Sequence, residues 1–333
     1  MSRGMIQLVT ALLVLSGLAL VDPAGGQEIS SSSCILAGGR LPIAEGSNGE
    51  WLEAGGFHWR LSLTGQTLTA YDPDSLEPTI ERRLGTTDDT LLTGLSVVDD
   101  WIVVSISGPE RGGIQLLDAR TGESPGSIEI GRSADPESYR MVTDVVTVGE
   151  YAYVAGGREL VIIELAALDG GDPERAVVER SRLPVAVGRI GATNDTIHMQ
   201  QFLGTRSLML DPATDILTDA DSADAPWNQL VVDDRIYAVT DGRIGEIDPT
   251  TGNVSSEVAV IGEVRSVVGT SDVVWIASQA PSGDRLVVVD PATGDVLATM
   301  FVDDPIHAIW ATSEAVIVET TDEARWVEHG SCG

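Results

Sequence analysis

The first feature of this chain is the alternation of short apolar runs with turn residues, repeated from residue 49 to the C-terminus. One element recurs: an apolar strand ending in an acid, a Pro/Thr/Gly turn, then a second strand. It reads LTAYDPDSLEP at 68–78, IQLLDARTGES at 114–124, LMLDPATDIL at 208–217, IGEIDPTTGNV at 244–254 and LVVVDPATGDV at 286–296, with a degenerate copy, LVIIELAALDGGDPE, at 160–174. The anchoring acids Asp72, Asp118, Glu164, Asp211, Asp248 and Asp290 are spaced by 46, 46, 47, 37 and 42 residues. The turn chemistry is physical: Pro fixes φ, Gly accepts φ > 0, and Asp and Thr side chains bond the turn backbone.

A second element precedes each copy: a strand, a short acidic or small turn, and another strand. Examples are LSVVDDWIVVSI (95–106), DVVTVGEYAYVAG (144–156), QLVVDDRIYAVT (229–240) and SVVGTSDVVWIAS (266–278). Each full repeat therefore holds about four strands, the length and strand count of a propeller blade. Units beginning near Gly49, Thr93, Met141, Pro184, Pro226, Glu263 and Pro305 predict an all-β, seven-bladed β-propeller over 49–333. The last unit lacks a fourth strand. The segment before the first unit, Cys34-Ile-Leu-Ala or Arg40-Leu-Pro-Ile, is expected to supply it, so that N- and C-terminal strands pair, close the ring and remove two open sheet edges. Residues 27–48 then act as linker and ring-closing strand.

These repeats, LVVVDPATGDVLATM (286–300) and IGEIDPTTGNV (244–254) above all, resemble the YVTN-type and quinoprotein-like propeller families. The resemblance implies a WD40-like fold across the chain after its N-terminal segment. It does not imply one function, because the fold hosts enzymes, ligand binders and scaffolds. The quinone-dependent members place Trp shortly after the turn glycine. No Trp follows Gly252 or Gly294 in that way, so the resemblance brings no quinone cofactor with it.

Charge narrows the partners. The chain carries 51 acidic and 20 basic residues, a formal net charge of −31, and every basic residue is arginine. Repulsion within a Debye length argues against nucleic acid and anionic membrane surfaces as partners, with a membrane in play only if the N-terminal apolar segment is retained. Hydrophobic content of 43 % is too high for a disordered acidic chain. The excess of carboxylates reads as a hydrated, salt-tolerant surface.

Arg3 precedes an apolar run from Met5 to Val21, and Ala24-Gly25-Gly26 supplies small residues at a cleavage position before Gln27. This predicts a signal peptide over 1–26 and a secreted or extracytoplasmic protein. An uncleaved membrane anchor is the competing reading. The two cysteines, Cys34 and Cys332, stand at opposite ends of the exported chain and beside the two strands expected to pair. A Cys34–Cys332 disulfide is expected, worth on the order of 5 kcal/mol by chain entropy; acylation of Cys34 is the alternative.

No strong catalytic or metal motif is present. His58, His198, His307 and His329 form no HxH or HExxH pattern. His198 falls where other units carry Tyr153, Tyr237 or Trp275, and reads as a packing residue. Asp219, Asp221 and Asp224 cluster in one loop and suggest Ca²⁺ weakly, because the Gly and bidentate Glu of an EF-hand are missing. No other cofactor is indicated.

Repeat register offers a better candidate. Six or seven residues before the first-hairpin acid lie Thr93, Thr143/Asp144, Arg189, Asn228, Arg265 and His307, with Glu50 as the counterpart in unit one. These positions begin the innermost strands and face the channel mouth. A polar or anionic ligand held by Arg189, Asn228, Arg265, His307, Asp144 and Glu50 is the expected site. A second arginine set, Arg158, Arg206, Arg243, Arg285 and Arg325, opens on the same side. Two functions follow: a binding or interaction module, monomeric, with a protein or small polar ligand as partner; or a propeller lyase or hydrolase with His307 as catalytic acid/base and Arg189 and Arg265 as anion clamps.

Overall fold

The computed structural model describes residues 40–42, 49–64, 66–84, 90–108, 112–130, 142–202, 206–221, 228–232, 235–240, 243–247, 254–260, 262–269, 273–281, 283–290, 293–312 and 315–328. In chain order the strands are β1 (Arg40–Pro42), β2 (Gly49–Ala54), β3 (Phe57–Ser62), β4 (Thr67–Tyr71), β5 (Pro78–Arg83), β6 (Leu91–Val98), β7 (Trp101–Ser107), β8 (Gly112–Asp118), β9 (Gly126–Ile130), β10 (Val142–Val148) and β11 (Tyr151–Glu164). Two short 3-10 turns follow, Leu165–Gly170 and Pro173–Ala176. Then come β12 (Val177–Ala192), β13 (Ile197–Gln201), β14 (Arg206–Asp211), β15 (Ile216–Asp221), β16 (Asn228–Val232), β17 (Arg235–Thr240), β18 (Arg243–Ile247) and β19 (Val254–Ala259). The last are β20 (Glu263–Gly269), β21 (Val274–Ala280), β22 (Gly283–Val289), β23 (Val296–Val302), β24 (Ala308–Ala311), β25 (Ala315–Glu319) and β26 (Glu323–Glu328).

They form antiparallel sheets in simple meander order: β2 to β5, β6 to β9, β10 to β15, β16 to β19 and β20 to β23. The final sheet runs β24-β25-β26-β1, so Arg40–Pro42, one of the two candidate segments, is the strand that completes it. Its register is Arg40↔Arg325, Leu41↔Ala324 and Pro42↔Glu323.

The β10–β15 sheet departs from the expected separation at Pro184. β11 and β12 are each two strands in one. Tyr151 to Gly156 pairs with β10, and Glu159 to Ile163 pairs with the first half of β12. The chain reverses at Gly157, where φ is +59°, and Leu165 N–H donates to Glu150 C=O at 3.0 Å, bringing the two ends of β11 together. The second half of β12 turns to β13, with Val187↔Gln201 and Ala192↔Ile197. Pro184 lies where the register shifts between those partners, so its missing N–H interrupts no regular ladder. With no glycine between Val177 and Val187, the strand passes unbroken from one unit to the next.

The repeat turns take a common form. Asp118 Oδ1 accepts from the N–H groups of Arg120 (3.0 Å) and Thr121 (2.8 Å) and from the Thr121 hydroxyl (2.9 Å). Asp72 and Asp211 hold Ser75 and Thr214 in the same way. The left-handed position falls on Gly122 in one turn, on Gly294 in another, and on the non-glycine residues Leu76 and Asp215 elsewhere.

Period-two burial explains why the strands read as continuous apolar runs. Ile102 and Val104 of β7 pack toward the β2–β5 sheet, while Val103 packs toward β10 and β11. Trp275 and Ala277 of β21 face the last sheet; Ile276 faces the sheet before it. Each sheet is a middle layer, buried on both faces. First strands also meet in succession: β2 with β6, β6 with β10, β10 with β12, β12 with β16, β16 with β20, β20 with β24, and β24 with β2.

The junction of the last and first sheets is polar at its centre. Glu319, 2 % exposed, accepts from Gly49 N–H at 3.2 Å and Trp51 Nε1 at 3.0 Å, and lies 3.6 Å from Arg60 Nε. Trp326 meets Trp51 edge-on, with ring centroids 5.5 Å apart.

Candidate functional site

The residues expected at the channel mouth all lie at or near the beginnings of first strands, and the backbone there is irregular. In β6, Leu92 pairs with Ile106 and Gly94 with Ser105, which leaves Thr93 as an extra residue. In β10, Val142 pairs with Gly156 and Val145 with Val154, so Thr143 and Asp144 share one partner. The second half of β12 bulges at Gly188, next to Arg189, and β20 bulges at Arg265. A bulge turns the side chain of its extra residue away from the regular alternation. Glu50 and Asn228 instead sit in regular ladders, opposite Leu61 and Val239. His307 precedes β24, and its N–H donates to Glu319 C=O at 2.8 Å.

The polar residues at these positions have two fates. Thr93 and Ser107 hydroxyls share a 2.9 Å hydrogen bond. Thr93 Oγ1 also donates to Val142 C=O at 3.2 Å, and Val142 N–H donates to Ser107 Oγ at 2.8 Å. Ser105 Oγ donates to Thr143 C=O at 2.7 Å, while Thr143 Oγ1 accepts from Ala155 N–H at 3.1 Å. The Thr93, Ser105 and Ser107 hydroxyls sew β6–β7 to β10–β11, and the Thr143 hydroxyl is taken up within its own sheet. Thr93 and Thr143 thus bind protein. In contrast, Arg189, Arg265 and His307 are exposed. Arg265 bonds the side-chain oxygen of Gln279, and His307 Nε2 lies 3.4 Å from the Thr321 hydroxyl. Glu50 is half-buried. The side chains of Asp144 and Asn228 lie outside the described residues.

The second arginine set opens at the same strand ends. Arg158 and Arg243 are exposed. Arg285 stacks over Phe301, 4.9 Å from the ring centroid, and Arg325 bridges Glu323 and Asp304. The opposite strand ends carry the acidic turns. There the Thr214 hydroxyl and neighbouring amides hold the Asp211 carboxyl below its ordinary range, and the Ser75 amide and hydroxyl do the same for Asp72. Desolvation raises Asp118, but its bonds to Thr121 outweigh that and leave it lowered. A cleft of about 470 Å³ at this acidic end is lined by Asp99, Asp100, Trp101, Leu165, Ala166 and Asp169. Three carboxylates make it unsuited to an anion.

His198, read from the sequence as a packing residue, is 2 % exposed, and burial pushes its pKa down to about 4. It is neutral at physiological pH, with Nε2 unpartnered. Buried Glu319 and the bulges were not found by sequence reasoning. A single Glu at the end of β25 carries no local signal, and a bulge is a property of the pair of strands. The N-terminal segment 1–39, Cys34, Cys332, His329 and Asp224 lie outside the described residues, as do the side chains of Asp219 and Asp221. Among the described residues, no group of three His, Cys, Asp or Glu side chains is placed to hold a metal ion.

No protein-family model and no curated protein matches this sequence. Solved structures do match its fold. The WD40 domain of Pan2 from Neurospora crassa is 13 % identical, with a TM-score of 0.62 over 90 % of this chain and 91 % of that one. BamB from Moraxella catarrhalis is 11 % identical, with a TM-score of 0.55 over 82 % of each chain. BBS1N, solved in complex with ARL6DN, is 10 % identical, with a TM-score of 0.61 over 88 % of this chain and 98 % of that one. At such identities the likeness speaks for architecture alone, and it agrees with the meander sheets and their stacking order: the fold is that of a β-propeller.

Proposed function

We propose that this chain is an exported, seven-bladed propeller of the YVTN repeat type that serves as a binding module. Its docking face is the end of the molecule where first strands begin. Seven blades follow if β11 and β12 are each divided at their change of partner, and the contact of β24 with β2 together with the β1–β26 pairing supports a closed ring. The observation that carries the functional reading is the exposure of Arg189, Arg265 and His307 at equivalent repeat positions, where Thr93 and Thr143 are consumed by the structure. A protein or a small polar or anionic ligand suits those groups: guanidinium forks bind carboxylates in two-point fashion. The BBS1N complex with ARL6DN is an instance of this fold holding a protein partner.

The test is a thermal-shift screen of the purified protein against organic acids, sugars, nucleotides and divalent cations. A ligand that binds only the native state raises Tm. The expected result is an anionic hit that disappears in Arg265→Ala and His307→Ala. An anionic hit that survives both substitutions sinks this docking face.

A further inference from the structure

Outer strands of a sheet need protection, because one row of their N–H and C=O groups has no neighbour. This chain protects them one by one. β5 carries Pro78, Glu81, Arg82 and Arg83, and Arg82 reaches across to the carbonyls of Thr121 and Gly122. β9 is tied by Glu174, which accepts from Glu129 N–H at 3.1 Å, and by Arg180, which donates to Glu129 C=O at 2.8 Å. The first half of β12 holds Glu179, Arg180 and Arg182; β15 holds Asp219 and Asp221; β19 holds Glu257; β1 holds Arg40 and Pro42.

β23 carries none of these devices itself, and from β22 Arg285 lies over its Phe301 ring. Its sequence, VLATMFV, contains no charge and no proline. Among the described residues its only sheet neighbour is β22. Ala298, Met300 and Val302 are buried against the last sheet. Leu297, Thr299 and Phe301 point the other way and are exposed, Leu297 by 46 % and Phe301 by 64 %. Phe301 is the most exposed large apolar residue described. Asp295 lies just before the strand and Asp303 and Asp304 just after it, all exposed.

We propose that β23 is a docking edge that takes an extended apolar segment of a partner protein, with basic residues at both ends of that segment. The segment adds as a further strand. Main-chain hydrogen bonds to the open edge supply affinity, and alternate side chains pack on Leu297, Thr299 and Phe301. The basic ends answer Asp295 on one side and Asp303 on the other. Charge also argues against a second copy of this chain as occupant. Antiparallel self-pairing centred on Thr299 sets Leu297 against Phe301 but also Asp295 against Asp303, and like charges directly opposed are unfavourable. The net charge of −31 adds to that repulsion. This edge is independent of the arginine-bearing face proposed above, so either reading can fail alone.

The experiment uses a fluorescent synthetic peptide with an alternating valine–threonine core and paired arginines at both ends, titrated with the purified protein at physiological ionic strength. Anisotropy is expected to report binding that weakens about tenfold or more in Thr299→Lys/Phe301→Lys. Near-UV circular dichroism confirms that this variant keeps its fold. Of two peptides N-methylated on alternate residues, the one whose methyl groups face β23 is expected to lose binding, because its donors are gone. Replacing the arginines with glutamates is expected to abolish binding. Absence of binding overturns the proposal, as does equal binding of both N-methylated forms or of the glutamate-ended form. A wild-type dimer in sedimentation equilibrium that Thr299→Lys disperses also overturns it, in favour of a second copy.

Discussion

The starts of β6 and β10 and the starts of the strands around Arg189, Arg265 and His307 occupy the same place in their repeats, yet they treat polar side chains in opposite ways. The Thr93 hydroxyl joins Ser107 and reaches Val142 C=O of the next sheet, while Thr143 accepts Ser105 at its carbonyl and Ala155 N–H at its hydroxyl. Arg189, Arg265 and His307 remain at the surface. A short hydroxyl can satisfy a bulged backbone within its own seam. A guanidinium is too long and too strongly hydrated to be buried there without a carboxylate partner. The same bulge therefore makes a seam at Thr93 and presents a guanidinium at Arg265.

The sharpest test of this contrast lies directly behind His307. Its backbone is held by Glu319, whose carboxylate is buried against Trp51 and Arg60. Glu319→Ala is expected to destabilise by about 3–5 kcal/mol, because it breaks a buried ion pair with Arg60 and takes the acceptor from Gly49 N–H and Trp51 Nε1. Chemical denaturation measures it. A loss below about 1 kcal/mol would mean that the last and first sheets are joined by apolar contacts alone.

Buried His198 sets the next effect. Its pKa is near 4 when folded and near 6.5 when unfolded, so the unfolded state binds the extra proton first. Its share of stability is full above about pH 6.5, falls as pH drops, and is gone below about pH 4, a loss of roughly 3 kcal/mol. His198→Gln is expected to flatten the dependence of denaturant midpoint on pH in that window. The Asp72, Asp118 and Asp211 turns have lowered carboxyl pKa values, so their contribution is present above about pH 4 and is lost below it. An unchanged midpoint curve in His198→Gln would assign the acid sensitivity to those turns.

Ser107→Ala tests the hydroxyl seam itself. It strips Val142 N–H of its acceptor and Thr93 of a partner, and about 1–3 kcal/mol is expected to go. At the bottom of the scale, Arg189→Ala and Arg265→Ala are expected to change stability by no more than about 0.5 kcal/mol while removing anion binding. If Arg265→Ala destabilises as much as Ser107→Ala, the two halves of the ring play the same structural part and the contrast disappears.

The repeat register was legible because strands buried on both faces write near-continuous apolar runs, and because Asp, Thr and Gly mark the turns between them. WIVVSI of β7 and VWIAS of β21 show this directly: neighbouring residues enter different cores. A missing strand ahead of the first unit was readable because the final unit is one strand short; which of the two candidate segments, Cys34-Ile-Leu-Ala or Arg40-Leu-Pro-Ile, supplies it was not. The candidate site was legible only as a list of positions. Thr93 and Arg265 share a register, and both strands bulge there, but exposure depends on what the neighbouring sheet offers. Thr93 donates to Val142 C=O of the next sheet, whereas Arg265 meets Gln279 of its own sheet. Val142 stands 49 residues from Thr93, and nothing local marks it as a partner.

What the sequence by itself determined is the unit: strand lengths, the acidic turn at one end, the arginines at the other, and the order of the sheets. Local sterics and period-two burial are enough for that. Only the tertiary structure decided which polar residues become seams. Glu319 acquires Trp51 and Arg60 across more than 250 residues, the Thr93 hydroxyl acquires Val142 from the next sheet, and β23 is left at a sheet edge with Leu297 and Phe301 exposed. The energy of a buried polar group depends on the partner that stacking brings to it, and that partner is chosen by how sheets meet rather than by the residues on either side.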